Sequence, residues 1–179
     1  MKAFGVTNNK FESFTEFEKT KENPTGRDLL VKIEGISINP VDIATRKKIA
    51  DELTDPKILG YDGYGVVDAV GSEVKNFQVG DKVFFAGDYT RDGSYQEYEL
   101  IDERIVAHAP KKTSIEKSVA MPLVTLTASE LLFEKLQINP AQDNRAKTVL
   151  IINGAGGVGS IAIQLAHLAG LGVLATAST

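Results

Sequence analysis

Residues 1 to about 110 are built from short apolar runs separated by turn signals. In "DLLVKIEGISIN", Leu29, Val31 and Ile33 fall on one face and Lys32 and Glu34 on the other, which is strand alternation. "GYGVVDAVG" is a largely apolar run bounded by glycines, the pattern of a buried strand. "GDKVFFAGD" follows a Gly-Asp turn, and "GSYQEYELID" alternates again, so Tyr89, Tyr95 and Tyr98 are expected to pack on alternating strand faces. Short strands of this kind predict a small barrel or sandwich. One helical turn interrupts them at "NPVDIATRKK", where Asn39 suits an N-cap and Pro40 the first helical position. The charged stretch "TEFEKTKEN" predicts a solvated segment.

The period changes near residue 113. Thr113 and Glu116 stand at capping-box spacing and open a predicted helix, which Pro122 breaks or restarts. Leu123, Leu126, Leu131 and Leu132 follow near helical spacing, and "NPAQDNRAK" is a polar loop. "TVLIIN" is a continuous apolar strand of the kind buried on both faces of a parallel sheet. A glycine loop and the amphipathic segment "SIAIQLAHLAG" come next, ended by Gly170 or Gly172, and "VLATAST" begins a second strand. Strand, loop, helix, strand is one βαβ unit. No repeat or low-complexity segment is present.

Composition narrows the chemistry. A chain of 179 residues suffices for one domain or one and a half. Net charge is −4, from 24 acids against 20 bases, which gives no electrostatic case for nucleic acid or an anionic membrane as partner. The absence of cysteine excludes disulfides, thiolate chemistry and cysteine–zinc sites. The two histidines, His108 and His167, are too few for a histidine-rich metal site and read as surface or packing residues. No apolar run reaches membrane-spanning length, and "MKAFGVTNNK" lacks the apolar core of a signal peptide, so a cytoplasmic protein is expected.

The glycine loop is the strongest local motif. Gly154, Gly156 and Gly159 fit G-x-G-x-x-G. The first glycine permits a tight turn, the second lets the backbone approach a pyrophosphate, and the third lets helix and strand pack closely. The following helix start favours an anion through its free N–H groups and dipole. Asn153, Gly154, Gly156, Gly157, Val158 and Gly159 are therefore candidate cofactor-binding residues. Two other readings are a ligand-free strand–helix turn and a methyltransferase loop. Asn153, where a methyltransferase carries an acid, counts against the latter, and no Gly-Lys-Ser/Thr follows to make a P-loop. The acid that holds a ribose 2′-hydroxyl belongs about twenty residues on. That region reads Ala175, Thr176, Ala177, Ser178, Thr179, and no Asp or Glu occurs after Asp143. Hydroxyls at Ser178 and Thr179 accept a 2′-phosphate where a carboxylate repels it, so NADP(H) is expected rather than NAD.

"LGYDGYGVVDAVGSEVKNFQVGDKVFF" carries a second signal in Gly60, Gly63, Gly65, Gly71 and the pair Gly80-Asp81. Together with "ISINPVDIATRKK", "APKKTSIEKSVAMPLVTLTASELL" and "VLIINGAGGVGSIAIQLA", in that order over essentially the whole chain, it resembles the medium-chain dehydrogenase/reductase superfamily. The likeness is to its zinc-free quinone oxidoreductase branch and the zinc-type alcohol dehydrogenase-like proteins. The resemblance implies a β-rich GroES-like barrel over residues 1–120. Residues 121–179 are then the first βαβ unit of an α/β Rossmann domain that binds NADP. In zinc-using relatives a Cys stands near Asn39, a His at Tyr61 and a Glu at Asp62, and a four-cysteine lobe follows Gly87. Here those ligands are replaced, so no zinc and no other metal is expected. The resemblance also implies that Asn39 and Asp42 lie beside the nicotinamide end of the cleft. Asn39 has the second reading of a helix cap, and Asp42 is expected to be structural rather than acid–base. Tyr61 either lines the acceptor pocket or is a barrel-core aromatic. Thr127 either approaches the nicotinamide ribose or amide, or is a helix hydroxyl bonded to its own backbone.

The implied activity is zinc-independent transfer of a hydride from NADPH to a small-molecule quinone or α,β-unsaturated carbonyl. Members of the superfamily are about twice this long, homodimeric, and carry a six-stranded dinucleotide domain. A truncated chain is therefore expected, with self-association to cover open sheet faces. The alternative is an inactive truncated remnant that acts as a non-enzymatic interaction module.

Overall fold

The computed structural model describes residues 1–49 and 52–178. It forms two compact units, Met1–Pro122 and Leu123–Thr179.

The first unit is mostly antiparallel sheet. Strands β1 (Lys2–Val6), β2 (Phe14–Glu18), β3 (Asp28–Ser37), β4 (Lys57–Ile58), β5 (Asp62–Val70), β6 (Lys82–Ala86), β7 (Tyr98–Asp102) and β8 (Val106–His108) occur in chain order. Five make a sheet in the order β7-β3-β5-β6-β8, and three make a second sheet in the order β2-β1-β4. The segment before β7 stitches the two together. Phe4 N donates to Tyr95 O, Glu97 N to Lys2 O, and Ile33 N to Glu97 O. Backbone groups that would otherwise face an open edge are thereby paired.

The core of this unit is Leu29, Val31, Val67, Val83, Phe85 and Ile101, with Ile33, Val74, Phe77 and Val106 packed around it. Each fully buried aliphatic side chain here contributes about 1.5–3 kcal/mol. The alternation expected in β3 holds: Leu29, Val31 and Ile33 share the core face, while Leu30, also buried, lies outside that cluster beside Met1, Gln96 and Leu100. Register shifts against β5 fall between Leu30 and Val31 and between Ile33 and Gly35. At the first shift the extra residue is Asp68 of β5, and at the second it is Glu34 of β3, so the bulges leave the core face of β3 intact.

Helix α1 (Pro40–Lys47) is longer than the single turn expected. Helix α2 (Ile115–Val119) starts one residue later than the capping-box spacing implied, because Ser114, not Thr113, is its N-cap. The charged "TEFEKTKEN" is not wholly irregular, since its first residues lie in β2, a largely exposed strand paired only with β1. Tyr89 is exposed and lies outside the strands, and Tyr98 lies under the Lys21 ammonium rather than in the core.

In the second unit, α3 (Pro122–Ser129) restarts at Pro122, where a proline is tolerated because its missing N–H has no intrahelical partner. It runs into a π-type turn over Glu130–Lys135, with Leu136 N bonded to Leu131 O. Strands β9 (Thr148–Ile151) and β10 (Gly172–Ala175) pair in parallel, joined through α4 (Gly157–Leu168). Ala162 and Ala166 of α4 pack with Ala128, Leu132 and Leu171 against the Val149, Ile151 and Val173 face of the strands. Buried Asn144 ties the polar loop to the end of α4 by donating to Asn139 O and Ala169 O. No helix among the described residues is long and apolar enough to cross a membrane.

Candidate functional site

In the first unit a polar cluster is gathered where β3 gives way to α1, where β5 begins, and at the segment preceding β7. Asn39 precedes Pro40 and is extended, with φ −119° and ψ 155°, as a residue before proline prefers. Its backbone N–H donates to Asp42 Oδ2 at 2.7 Å, one half of a capping box. Its side-chain Nδ2 donates to Asp62 Oδ2 at 2.8 Å and, at 3.4 Å, to Ser37 O. Asp62 is the first residue of β5, paired with Ser37 of β3 and Ala86 of β6, and is fully buried. Asn39 thus serves as a donor to two buried carboxylates.

Asp42 is buried, and desolvation pushes its carboxyl above the ordinary range. The Asn39 N–H, the Tyr95 hydroxyl and the N–H groups of Gly60 and Tyr61 partly offset this by favouring the charged form. Among them only the Asn39 N–H makes a well-aligned bond, and Oδ1 has no partner of good geometry. Burial, and then the Asp42 and Asp62 carboxylates, raise the Tyr95 phenol well above its usual value. The Tyr95 ring packs edge-on against Phe14, as expected of it, while its hydroxyl faces this cluster. Gly60 makes room for it. With φ +105° it adopts a conformation that disfavours other residues, and a Cβ there would fall 2.5 Å from Tyr95 Cδ1. The Tyr61 hydroxyl lies 3.2 Å from Thr45 Oγ1, on the helix turn after Asp42, and either oxygen can be the donor.

The second unit holds the glycine loop. Asn153 has φ +59°, donates its N–H to Thr176 Oγ1 and accepts from Gly156 N. Gly154 N donates to Thr176 O, so the loop is held against the end of β10. Thr176 Oγ1 accepts this bond and keeps its O–H, and Ser178 is a second exposed hydroxyl beyond the strand among the described residues. Thr179 lies outside the described residues. Gly156 is the N-cap of α4 and has no side chain to satisfy the first-turn N–H groups, which belong to Gly157, Val158 and Gly159. Those donors and the helix dipole suit an anion, and the twelve residues of α4 give the dipole its length. At Gly159 a Cβ would lie 2.3 Å from Asn153 O and 2.8 Å from Gly154 Cα, so helix and loop pack too closely for any side chain.

Comparisons with known proteins agree with this architecture. Residues 25–111 match the alcohol dehydrogenase GroES-like domain. The chain is 46% identical over 166 residues to a zinc-type alcohol dehydrogenase-like protein of Staphylococcus epidermidis, covering 92% of this chain and 49% of that one. It is 37% identical over 186 residues to the NADPH-dependent alkenal/one oxidoreductase, chloroplastic, of Arabidopsis thaliana, covering 98% of this chain and 45% of that one. A crystal structure of a putative zinc-dependent alcohol dehydrogenase from Rhizobium etli superposes with a TM-score of 0.90 at 40% identity, over 100% of this chain and 54% of that one. The chain belongs to the medium-chain dehydrogenase/reductase superfamily.

Like other members it carries a β-rich GroES-like domain, and it spans about half the length of the curated relatives it matches. The superfamily includes zinc enzymes, so the donor set matters. Asn39, Tyr61 and Asp62 offer one carboxylate between them, and that carboxylate accepts from Asn39. Among the described residues no group of three or more His, Cys, Asp or Glu side chains is placed to hold a metal. An amide, a phenol and one committed carboxylate do not fit an ion that takes three or four protein ligands. His108 packs on the Phe77 ring, and His167 is exposed on α4. Thr127 Oγ1 donates to Leu123 O one turn back, which is the second of its two readings. Thr45, which the sequence did not single out, and Tyr95, expected only to pack, join the cluster. Hydroxyl positions three residues after Asp42, and a tyrosine in a glycine-flanked turn, were the only signals available.

Proposed function

We propose that the chain supplies the acceptor-side domain and the opening cofactor-binding unit of a zinc-independent reductase. Such an enzyme passes hydride from NADPH to a quinone or an α,β-unsaturated carbonyl. Residues 1–120 form the substrate domain, with Asn39, Asp42 and Tyr61 at the acceptor end. Residues 121–179 open a Rossmann domain in which the first-turn N–H groups of α4 hold the pyrophosphate and Ser178 and Thr179 favour the 2′-phosphate.

The observation that carries this reading is the 2.8 Å bond from Asn39 Nδ2 to Asp62 Oδ2. Oxidation of an alcohol develops alkoxide character that a Lewis acid stabilises, and the residues here do not fit such an ion. Conjugated acceptors need hydride delivery and positioning instead. NADPH is favoured because no carboxylate follows Asp143. The Arabidopsis relative is named for the same cofactor and acceptor class. A second reading, a non-enzymatic interaction module, draws on the outer face of the β9–β10 sheet, where Leu150 and Leu174 pair directly and are 60% and 61% exposed.

The test is a fluorescence titration of the 179-residue chain with NADPH, its mass verified, followed by the loss of NADPH absorbance with a benzoquinone. Micromolar binding with quinone-dependent oxidation supports the reductase. No binding favours the interaction module. Stoichiometric zinc in the active protein would overturn zinc independence.

A further inference from the structure

Reduction of an enone needs a proton as well as a hydride, and the polar cluster leaves few groups able to give one. Asn39 is ruled out as a donor to the acceptor. Its backbone N–H is bonded to Asp42 and its Nδ2 hydrogens point to Asp62 Oδ2 and Ser37 O, so it offers only its carbonyl oxygen. The Tyr95 hydroxyl is directed at the Asp42 carboxylate. The Tyr61 hydroxyl has a different partner. It meets the Thr45 hydroxyl at 3.2 Å in a pair that either oxygen can donate, and both residues are half-buried. A hydroxyl pair that can reverse its direction is what a short proton relay requires.

We propose that Tyr61 is the proton donor of the acceptor site and that Thr45 reloads it. This rests on the reductase reading above. Hydride adds to the β-carbon of the enone, the conjugated π bond shifts, and negative charge develops on the carbonyl oxygen. That oxygen takes the Tyr61 phenolic proton. The phenolate takes a proton from Thr45, and solvent restores Thr45. The sum is one hydride from reduced nicotinamide and one proton from water added across the double bond. Before transfer, the same phenol polarises the acceptor carbonyl, as a donor aimed at developing charge does.

Two measurements test this with 2-cyclohexenone as the probe. Infrared difference spectra of the enone on the intact chain without cofactor should show the carbonyl stretch shifted to lower frequency. The shift should be lost in Tyr61→Phe and kept in Thr45→Val. With NADPH, Y61F should lower kcat by about 100-fold with KM little changed, T45V by roughly tenfold, and T45S should restore the wild-type rate. A wild-type carbonyl band no different from that of the free enone or of Y61F overturns the assignment, as does Y61F turnover at the wild-type kcat. Wild-type T45V turnover removes the relay. Absent turnover with the wild-type carbonyl shift intact overturns the reductase reading and proton donation with it, and leaves only the hydrogen bond from Tyr61 to the acceptor carbonyl.

Discussion

Replacing Glu99 by glutamine should make the first unit less sensitive to alkali. Glu99 stands opposite Val31 of β3 and is only 2% exposed. Its Oε2 has no hydrogen-bond partner, and a Cβ built on Gly87 would lie 3.1 Å from its Oε1. Burial therefore pushes its carboxyl well above the ordinary value of 4.5. The Arg91 guanidinium lowers it only in part, with both terminal Arg91 nitrogens engaged by Asp28 at 2.8 and 2.9 Å, and Asp92 raises it further.

The sign follows from proton linkage. Above the unfolded value of 4.5 the unfolded chain has lost this proton while the folded chain keeps it. The unfolded state then binds fewer protons, so stability is greatest at low pH and falls as pH rises. The slope is about 1.4 kcal/mol per pH unit for as long as folded Glu99 stays protonated. Over the pH range in which folded Glu99 stays protonated, the wild type should lose stability steadily relative to E99Q as pH rises. Glutamine keeps the shape and the neutral charge, and the raised carboxyl of Asp42 is common to both proteins and cancels. Urea unfolding of the two proteins, followed by tyrosine fluorescence and far-ultraviolet circular dichroism at several pH values, reads the difference. A difference that stays flat, or a wild type that gains on the variant as pH rises, would refute the reasoning. The latter would mean that Glu99 is folded as a carboxylate paired with Arg91.

Three further outcomes follow from named contacts. Gly159→Ala places a methyl 2.3 Å from Asn153 O and should destabilise the second unit by about 1–3 kcal/mol, read as a lower melting temperature, with weaker NADPH binding. Asn39→Ala removes the donor to Asp62 Oδ2 and should cost about 1.5–3 kcal/mol in urea unfolding; an unchanged midpoint would show that the bond does not hold the cluster together. Ser178→Asp puts a carboxylate just beyond β10 and should shift the cofactor preference from NADPH toward NADH by at least about tenfold, measured as a ratio of dissociation constants.

The local parts of this fold were legible because their signals are local. The apolar run in β5, the proline-led helix after Asn39 and the strand–glycine–helix sequence around Gly156 each follow from a few adjacent residues. Long-range features were not legible. The pairing of Phe14–Glu18 with Lys2–Val6 depends on register, and alternation in that strand is too polar to announce it. Glu99 reads as the polar member of an alternating strand, yet it faces inward beside Gly87. Tyr95 is drawn into the Asp42 cluster because Gly60 leaves room for its ring, a contact across thirty-five positions that no spacing rule contains. The same holds for Thr45, whose partner is fixed by where the chain before β5 passes α1.

On the zinc-independent reading proposed above, hydrogen bonds order this site. A zinc ion would tie the α1 and β5 segments together through its ligands. Here Asn39 does so with hydrogen bonds, holding Asp42 on its own helix and Asp62 on β5, while Tyr95 approaches from the segment before β7. Burying two carboxylates is costly, and directed N–H and O–H donors offset it by favouring the charged forms. That arrangement has a chemical consequence. Donors consumed in holding the carboxylates are unavailable to a ligand, and using one would leave a buried charge without its partner. The Tyr61–Thr45 pair stands apart from this constraint, because each hydroxyl can accept when the other donates. A proton can therefore leave Tyr61 and be replaced without disturbing the bonds that hold Asn39, Asp42 and Asp62. Structure and proton supply are thus assigned to different donors, and a substitution at Tyr61 should alter turnover while one at Asn39 should alter folding.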